Sequence, residues 1–320
     1  MKKTAMSILA ALAAMAAAAA TRTEALREKL LSEDRNYVFV AMHRGDWRNF
    51  PENSKDAILS SIACGADIVE LDVRMTKEGR FVLMHDKDIG RTTTGKGKVS
   101  DYTVPQLKKL KMTFQGKPTQ YDILTLEEAL ELTRGRILVN IDKFTEHPRE
   151  ILDAVAAAGA LKEVLVKVTR APDDTKKLFG PYWKDVENGN LLFMPVVQFC
   201  WKKHKFAKKI LPEWLALEPR KGSMFEICFD DRKFVKPALD PVRKAPGAPR
   251  IWINTMWDNL SAGHSDKEAL TDPGRVWGWS LKQGATMLQT DCGPELVLYL
   301  TRIGRHTLES APAPAPAAKK

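Results

Sequence analysis

The chain has 320 residues, 44% hydrophobic and 28% charged, and a formal net charge of +10 at pH 7. That balance excludes a disordered or collagen-like chain and supplies enough apolar side chain for one large core. The positive excess suits anionic ligands such as phosphates, though a basic solvated surface explains it equally well.

The first twenty residues join Lys2 and Lys3 to an alanine-rich apolar run that ends in small residues before Thr21. A basic start, an apolar middle and a small-residue cut are the parts of a cleavable export signal, so residues 1–20 are expected to be a signal peptide and the mature chain periplasmic or secreted. No later run is apolar enough to span a bilayer, so no stable membrane insertion is expected once the leader is removed. Residues 21–36 form a polar amphipathic helix in this reading.

From there short apolar runs alternate with helical stretches. Strands are predicted at 37–42, 68–73, 137–141, 164–168, 191–197, 224–229, 251–254 and 286–288, with a short extra one at 81–84. Helices are predicted at 54–64, 126–133, 149–158, 175–179, 204–211, 273–282 and 295–303. Alternation of this kind indicates a parallel sheet, and runs without polar alternation indicate strands covered on both faces. Eight principal strands fit a closed (β/α)8 TIM barrel over residues 37–308, with a small insertion after the second strand. An open doubly wound sheet is the alternative. Residues 309–320 are a Pro/Ala tail, expected to be disordered. The four cysteines, Cys64, Cys200, Cys228 and Cys292, lack CxxC spacing and read as mostly buried free thiols.

The chemistry concentrates between Met42 and Asp86. His43-Arg44-Gly45 follows the first strand, Glu70-Leu71-Asp72 closes the second, and His85-Asp86 follows the short run at 81. In a parallel barrel these positions share the C-terminal face, where such enzymes hold their active sites. Glu70 and Asp72, two apart on a strand, point the same way; such a pair either shares a proton or forms a hard oxygen site for Mg²⁺ or Ca²⁺. Two histidines flanking a phosphate could supply a base and an acid. Arg44 offers a fork for phosphate oxygens, or else a salt bridge to Glu52. His147, His204, His264 and His306 read as core or loop residues. Lys167, Gln198, Glu226, Asn254 and Asp291 sit near the ends of later strands and could line a pocket, with Trp252 and Trp257 as its walls.

Taken together, HRG, PENS, VELDV with TKEG, MHD and RTTTGKGKVSDYTVPQLKKL resemble the glycerophosphodiester phosphodiesterase family, and the likeness resumes at GATMLQTDCGPELVLYL. The resemblance implies a (β/α)8 barrel that hydrolyses a small anionic glycerophosphodiester with the help of a divalent cation. It implies that His43 and His85 are the acid/base pair, that Glu70 and Asp72 hold the cation, that Arg44 contacts phosphate and that Asn53 helps to fix the site. The family's Glu-x-Lys on the third strand is replaced here by Asn140-Ile141-Asp142-Lys143. Asp142 is then the candidate third ligand, and Lys143 the candidate phosphate-binding lysine; on a regular strand the two point apart. Glu226, Asn254 and Trp257 are the expected substrate-binding wall. A phospholipase-C-like or sphingomyelinase-D-like lipid phosphodiesterase is the second reading. A non-catalytic phosphodiester-binding protein is the third. A nucleic-acid role would rest on positive charge alone.

Overall fold

The computed structural model describes residues 20–217 and 223–308. The expected signal peptide, but for its last residue, and the expected Pro/Ala tail lie outside the described residues. Eleven strands are present among the described ones: β1 (Phe39–Met42), β2 (Ile68–Met75), β3 (Phe81–Leu83), β4 (Thr113–Phe114), β5 (Lys117–Pro118), β6 (Leu138–Asp142), β7 (Val164–Val168), β8 (Leu192–Phe199), β9 (Met224–Phe229), β10 (Arg250–Asn254) and β11 (Met287–Thr290). Eight of them run β1-β11-β10-β9-β8-β7-β6-β2, and β1 pairs back onto β2, so the sheet closes on itself. Every pairing in that ring is parallel. The protein is a (β/α)8 barrel, and the open-sheet alternative falls to the β1–β2 pairing.

β2 runs further than the apolar pattern indicates. It continues past Asp72 to Met75, and its last residues pair antiparallel with β3. This hairpin lifts the segment carrying His85 out of the barrel wall and back over its mouth. A separate apolar cluster supports the insertion, with Val82, Met84, Ile89, Val99 and Leu107 buried together.

Alternate residues of the strands fill two compartments, as a two-residue period requires. Phe39, Ala41, Leu138, Leu165, Met194, Trp252 and Met287 point into the barrel, while Val40, Met42, Val139, Val166, Ile227 and Ile253 face the helices. The N-terminal helix Arg22–Leu31 starts on a capping box between Thr21 and Glu24 and plugs the barrel floor with Leu26 and Leu30. Two buried arginines fasten it. Arg22 donates to the carbonyls of Gly65, Ala66 and Arg136. Arg250 donates to those of Lys29, Leu30 and Asp34. With the floor closed, ligands reach the barrel from its opposite, C-terminal face.

The helix Val235–Lys244 was not among those expected. Pro237 and Pro241 lie within it, and proline ordinarily argues against a helix. Val235, Ala238, Leu239 and Val242 are nonetheless buried on one face; Pro237 stands in the first turn, where no intrahelical bond is lost, and burial of the stripe outweighs the one bond lost at Pro241. The four cysteines are free, and all but Cys64 are buried.

Candidate active site

A cavity of about 570 Å³ opens at the C-terminal face. His43, Arg44, Glu70, His85, Asp142 and Lys143 line one side of it, and Gln198, Glu226, Asn254 and Trp257 line the other. His147, His204, His264 and His306 do not line it. His264 instead stacks on Trp279 with ring centroids 3.7 Å apart and bonds through Nδ1 to the Arg275 carbonyl.

The loop after β1 is shaped by two left-handed residues, Arg44 (φ 54°) and Gly45 (φ 73°). A Cβ on Gly45 would lie 2.9 Å from the Ala57 backbone, so only glycine lets the loop press against the following helix. In this turn the Arg44 amide donates to Glu70 Oε2 at 2.8 Å. The Arg44 guanidinium lies 3.3 Å from Glu52 and 3.4 Å from Asp72, so the arginine is paired with carboxylates as well as facing the cavity.

Asn53 does not line the cavity. It too is left-handed (φ 60°), and it grips Asp72 from both ends: its Nδ2 donates to Asp72 Oδ2 at 3.0 Å, and its Oδ1 accepts from the Asp72 amide at 3.0 Å. Its part is to orient a buried carboxylate.

Glu70, Asp72 and Asp142 bring one oxygen each to within 4.8 Å of one another. Glu70 and Asp72 are buried, and their strand positions face Asn140 and Asp142 across the β2–β6 ladder. Burial, reinforced by the neighbouring Asp72 charge, pushes the Glu70 carboxyl up to about 8. Burial opposes ionisation of Asp142 as well, but the Lys143 and Lys167 charges outweigh it and hold that carboxyl low. Asp72 Oδ1 accepts no hydrogen bond. Three clustered carboxylates, one of them with a buried oxygen that accepts no hydrogen bond and another reluctant to ionise, fit a hard divalent cation: the donors are all oxygen and lie within reach of one ion.

Lys143 departs from the expected geometry. It leaves the strand with φ 59°, and this left-handed turn swings its side chain back over the carboxylates instead of away from them. Its Nζ lies 2.7 Å from Asp142 Oδ2 and 3.4 Å from Asp72 Oδ1. Lysine and cluster therefore share one side of the cavity.

Each cavity histidine leans on a carboxylate through Nδ1. His43 Nδ1 is 2.8 Å from Asp291 Oδ1, and His85 Nδ1 is 2.6 Å from Asp86 Oδ1. An ionised carboxylate only accepts, so each ring donates through Nδ1 and keeps Nε2 free for chemistry. Burial pushes the His43 imidazolium down, but the Asp291 hydrogen bond and the Glu70 charge prevail and its net displacement is upward. Asp291 also accepts from Trp47 Nε1 at 2.7 Å. Asp86 is held low, first by its hydrogen bond from Arg91 and then by that from His85. Arg91 also clamps Glu52 with two bonds of 2.7 and 2.8 Å, tying the insertion to the loop after β1. From sequence, Asp291 is only a possible pocket residue, and Asp86 and Arg91 have no assigned role; only the fold reveals them as partners.

On the far wall, Lys167 Nζ lies 2.7 Å from Glu226 Oε2 and 4.8 Å from the centre of the Trp252 ring. Asn254 Nδ2 donates to Glu226 Oε1 at 2.9 Å. Trp252 is therefore floor rather than wall, and Glu226 and Asn254 form one connected polar patch above it. Trp257, 46% exposed, meets His43 edge-on at 5.5 Å.

Known proteins resemble this chain in sequence over its first half and in fold over most of its length. Residues 43–183 match the model of the glycerophosphoryl diester phosphodiesterase family. Residues 193–300 match a second model, described only as a domain of unknown function. A glycerophosphodiester phosphodiesterase of Caldanaerobacter subterraneus is 38% identical over 136 residues, which is 42% of this chain and 53% of that protein. One from Bacillus altitudinis is 41% identical over 107 residues, 32% of this chain and 44% of that protein. The chain thus spans about half the length of the curated relatives it matches. Among solved structures, a glycerophosphoryl diester phosphodiesterase from Parabacteroides distasonis superimposes with a TM-score of 0.66 at 23% identity, covering 89% of this chain and 94% of that one. A phosphodiesterase from Oleispira antarctica, solved with its product sn-glycerol 3-phosphate, gives a TM-score of 0.55 at 18% identity, covering 82% of this chain and 96% of that one. At these identities the likeness concerns the fold.

Proposed function

We infer that the chain, whose residues 43–183 match the glycerophosphoryl diester phosphodiesterase family, hydrolyses a glycerophosphodiester to glycerol 3-phosphate and an alcohol. One observation carries the reading: two histidines, each backed by a carboxylate, share a cavity with Glu70 and Asp142, which cluster with the buried Asp72.

Glu70, Asp72 and Asp142 would hold a divalent cation, Mg²⁺ or Ca²⁺. Such an ion, when bound, neutralises phosphate charge and makes a hydroxyl easier to ionise. Arg44 and Lys143, poised between carboxylates and cavity, bind the phosphate oxygens and orient the phosphorus. One imidazole takes, through Nε2, the proton of the attacking hydroxyl as the new P–O bond forms; where that hydroxyl is the substrate's own 2-hydroxyl, water then opens the cyclic phosphate to glycerol 3-phosphate. The other gives its proton to the alcohol oxygen as the old P–O bond breaks. Asp291 and Asp86 keep both rings in the tautomer this exchange needs, and stabilise each ring while it is charged. Glu226, Asn254 and Trp257 contact the remainder of the substrate. The leader-like first twenty residues support an exported enzyme.

The test is release of glycerol 3-phosphate from a panel of glycerophosphodiesters, with and without a chelator and added cations. Turnover is expected to vanish with chelator and return with cation. His43→Ala and His85→Ala are each expected to lower kcat by about 10²–10⁴ while the fold persists. Near-normal turnover in either variant would end this mechanism.

A further inference from the structure

The loop and helix that follow β8 break three local rules at once. Trp201 and Lys202 are consecutive non-glycine residues in the left-handed region, with φ 49° and 62°, a conformation such residues hold only under constraint. The helix His204–Leu215 then begins without an acidic residue in its first turn. Lys203 and Lys205 stand instead at its positive end, where the aligned peptide dipoles disfavour cations. Finally, two large apolar rings are left in water, Trp201 at 46% and Phe206 at 40% exposure.

These features lie on one surface. The helix buries Ala207, Ile210, Leu211 and Trp214 against the barrel. All five lysines between 202 and 209 are exposed. Lys203 donates to Gln198 Oε1 at 2.7 Å, and among the described residues none of the five pairs with a carboxylate. Two acids of the loop after β9 are engaged by other partners: Asp230 lies 3.2 Å from His204 and Asp231 lies 2.8 Å from Lys233. The loop after β9 adds the exposed Arg232 and Lys233. Trp201 and Lys203 also line the catalytic cavity, and the exposed lysines of the helix follow within about 9 Å of rise along its axis. The basic and aromatic surface is therefore part of the rim of the mouth.

We propose that this rim is a docking surface for an anionic lipid bilayer, on which it seats the mouth of the cavity. A bilayer answers each broken rule. Its surface charge compensates lysines that no carboxylate among the described residues pairs with. Its interface takes up Trp201 and Phe206, and Phe206, with no polar atom, gains only by leaving water. Lysine stems lie along such an interface with their ammonium groups at headgroup level. A nucleic acid would account for the charge but offers no apolar medium for an aromatic ring on a helix's outer face. The attachment is peripheral, since among the described residues no helix is long and apolar enough to cross a membrane.

The test is sedimentation of the full chain with vesicles of phosphatidylcholine alone or mixed with phosphatidylglycerol. Binding is expected only to the mixed vesicles, declining as salt rises. Combined Lys205→Glu, Lys208→Glu and Lys209→Glu substitution is expected to weaken it by about a hundredfold or more. Phe206→Ala should weaken it by about tenfold at unchanged charge. None of these residues touches the cavity, so turnover of a soluble diester and the circular dichroism spectrum should both stay as they are. Equal binding to neutral vesicles, binding indifferent to the lysine changes, or binding to a DNA duplex with none to vesicles overturns the proposal.

Discussion

The two halves of the barrel contribute differently to one cavity. Residues 43–183 bring both histidines, Glu70 and Asp142 with the buried Asp72 behind them, Arg44 and Lys143, held by left-handed turns at Arg44, Asn53 and Lys143. Residues 193–300 bring Gln198, Glu226, Asn254 and Trp257, a wall with no cation-binding cluster among the described residues. The first half is the part that the phosphodiesterase family model matches, and the second matches only a family of unknown function. Groups that act on a phosphodiester have little geometric latitude, since a misplacement of about 1 Å can cost 10²-fold in rate. A wall that holds a variable alcohol can change as long as the strands beneath it stay in place.

The largest effect should come from the first half. Asp72→Asn and Glu70→Gln keep the shape of the cluster and remove a charge from it. Each is expected to lower kcat/KM by about 10⁴ or more at ordinary cation concentration, with part of the loss recovered as the cation is raised. Steady-state kinetics across a cation titration would reveal it, and a loss of only a fewfold would mean that the cluster is structural.

Asp291 tests whether the division is clean, because it comes from the second half yet serves His43. Asp291→Asn is expected to lower kcat by about 10²–10³ with KM little changed. The Asp291 bond raises the His43 pKa, so its removal should move that pKa down, the charged form being lost at a lower pH than before. Proton NMR titration of the ring reads this directly. An unmoved pKa would make Asp291 a mere neighbour of Trp47.

How much of this was legible in the sequence follows the same line. The eight-strand ring was, because its strands are covered on both faces and stay apolar throughout. His43, Glu70, Asp72 and His85 stood out because they cluster within one strand–helix–strand stretch. The His43–Asp291 bond joins residues 248 apart, and it exists only because β1 pairs with β11. The reversal at Lys143 was also hidden, since no glycine marks its left-handed turn. The helix Val235–Lys244 was hidden by its prolines, although Val235, Ala238, Leu239 and Val242 carry the helical spacing.

Across the boundary between the halves, the Lys167–Glu226 pair is a structural commitment as well as a binding surface. Both side chains are nearly sequestered, at 11% and 7% exposure. Removing one partner strands the other charge in the interior, so Lys167→Met is expected to cost about 3 kcal/mol of stability. Adding Glu226→Leu should restore much of it. Denaturant midpoints for the single and double variants test the coupling, and equal loss in both would show that the charges do not depend on each other.

Trp257 should show the smallest effect and draw the sharpest line between the halves. It touches His43 only with a ring edge and stands 46% open to solvent, so it neither carries a proton nor fixes the imidazole, which Asp291 already holds. What it can offer is a face for the substrate's outer end. Trp257→Ala is therefore expected to raise KM by about fivefold, roughly 1 kcal/mol of contact, with kcat nearly unchanged. A matching fall in kcat would mean that the ring orders His43 in the transition state, and the boundary between chemistry and wall would then run through β10 rather than between the two halves.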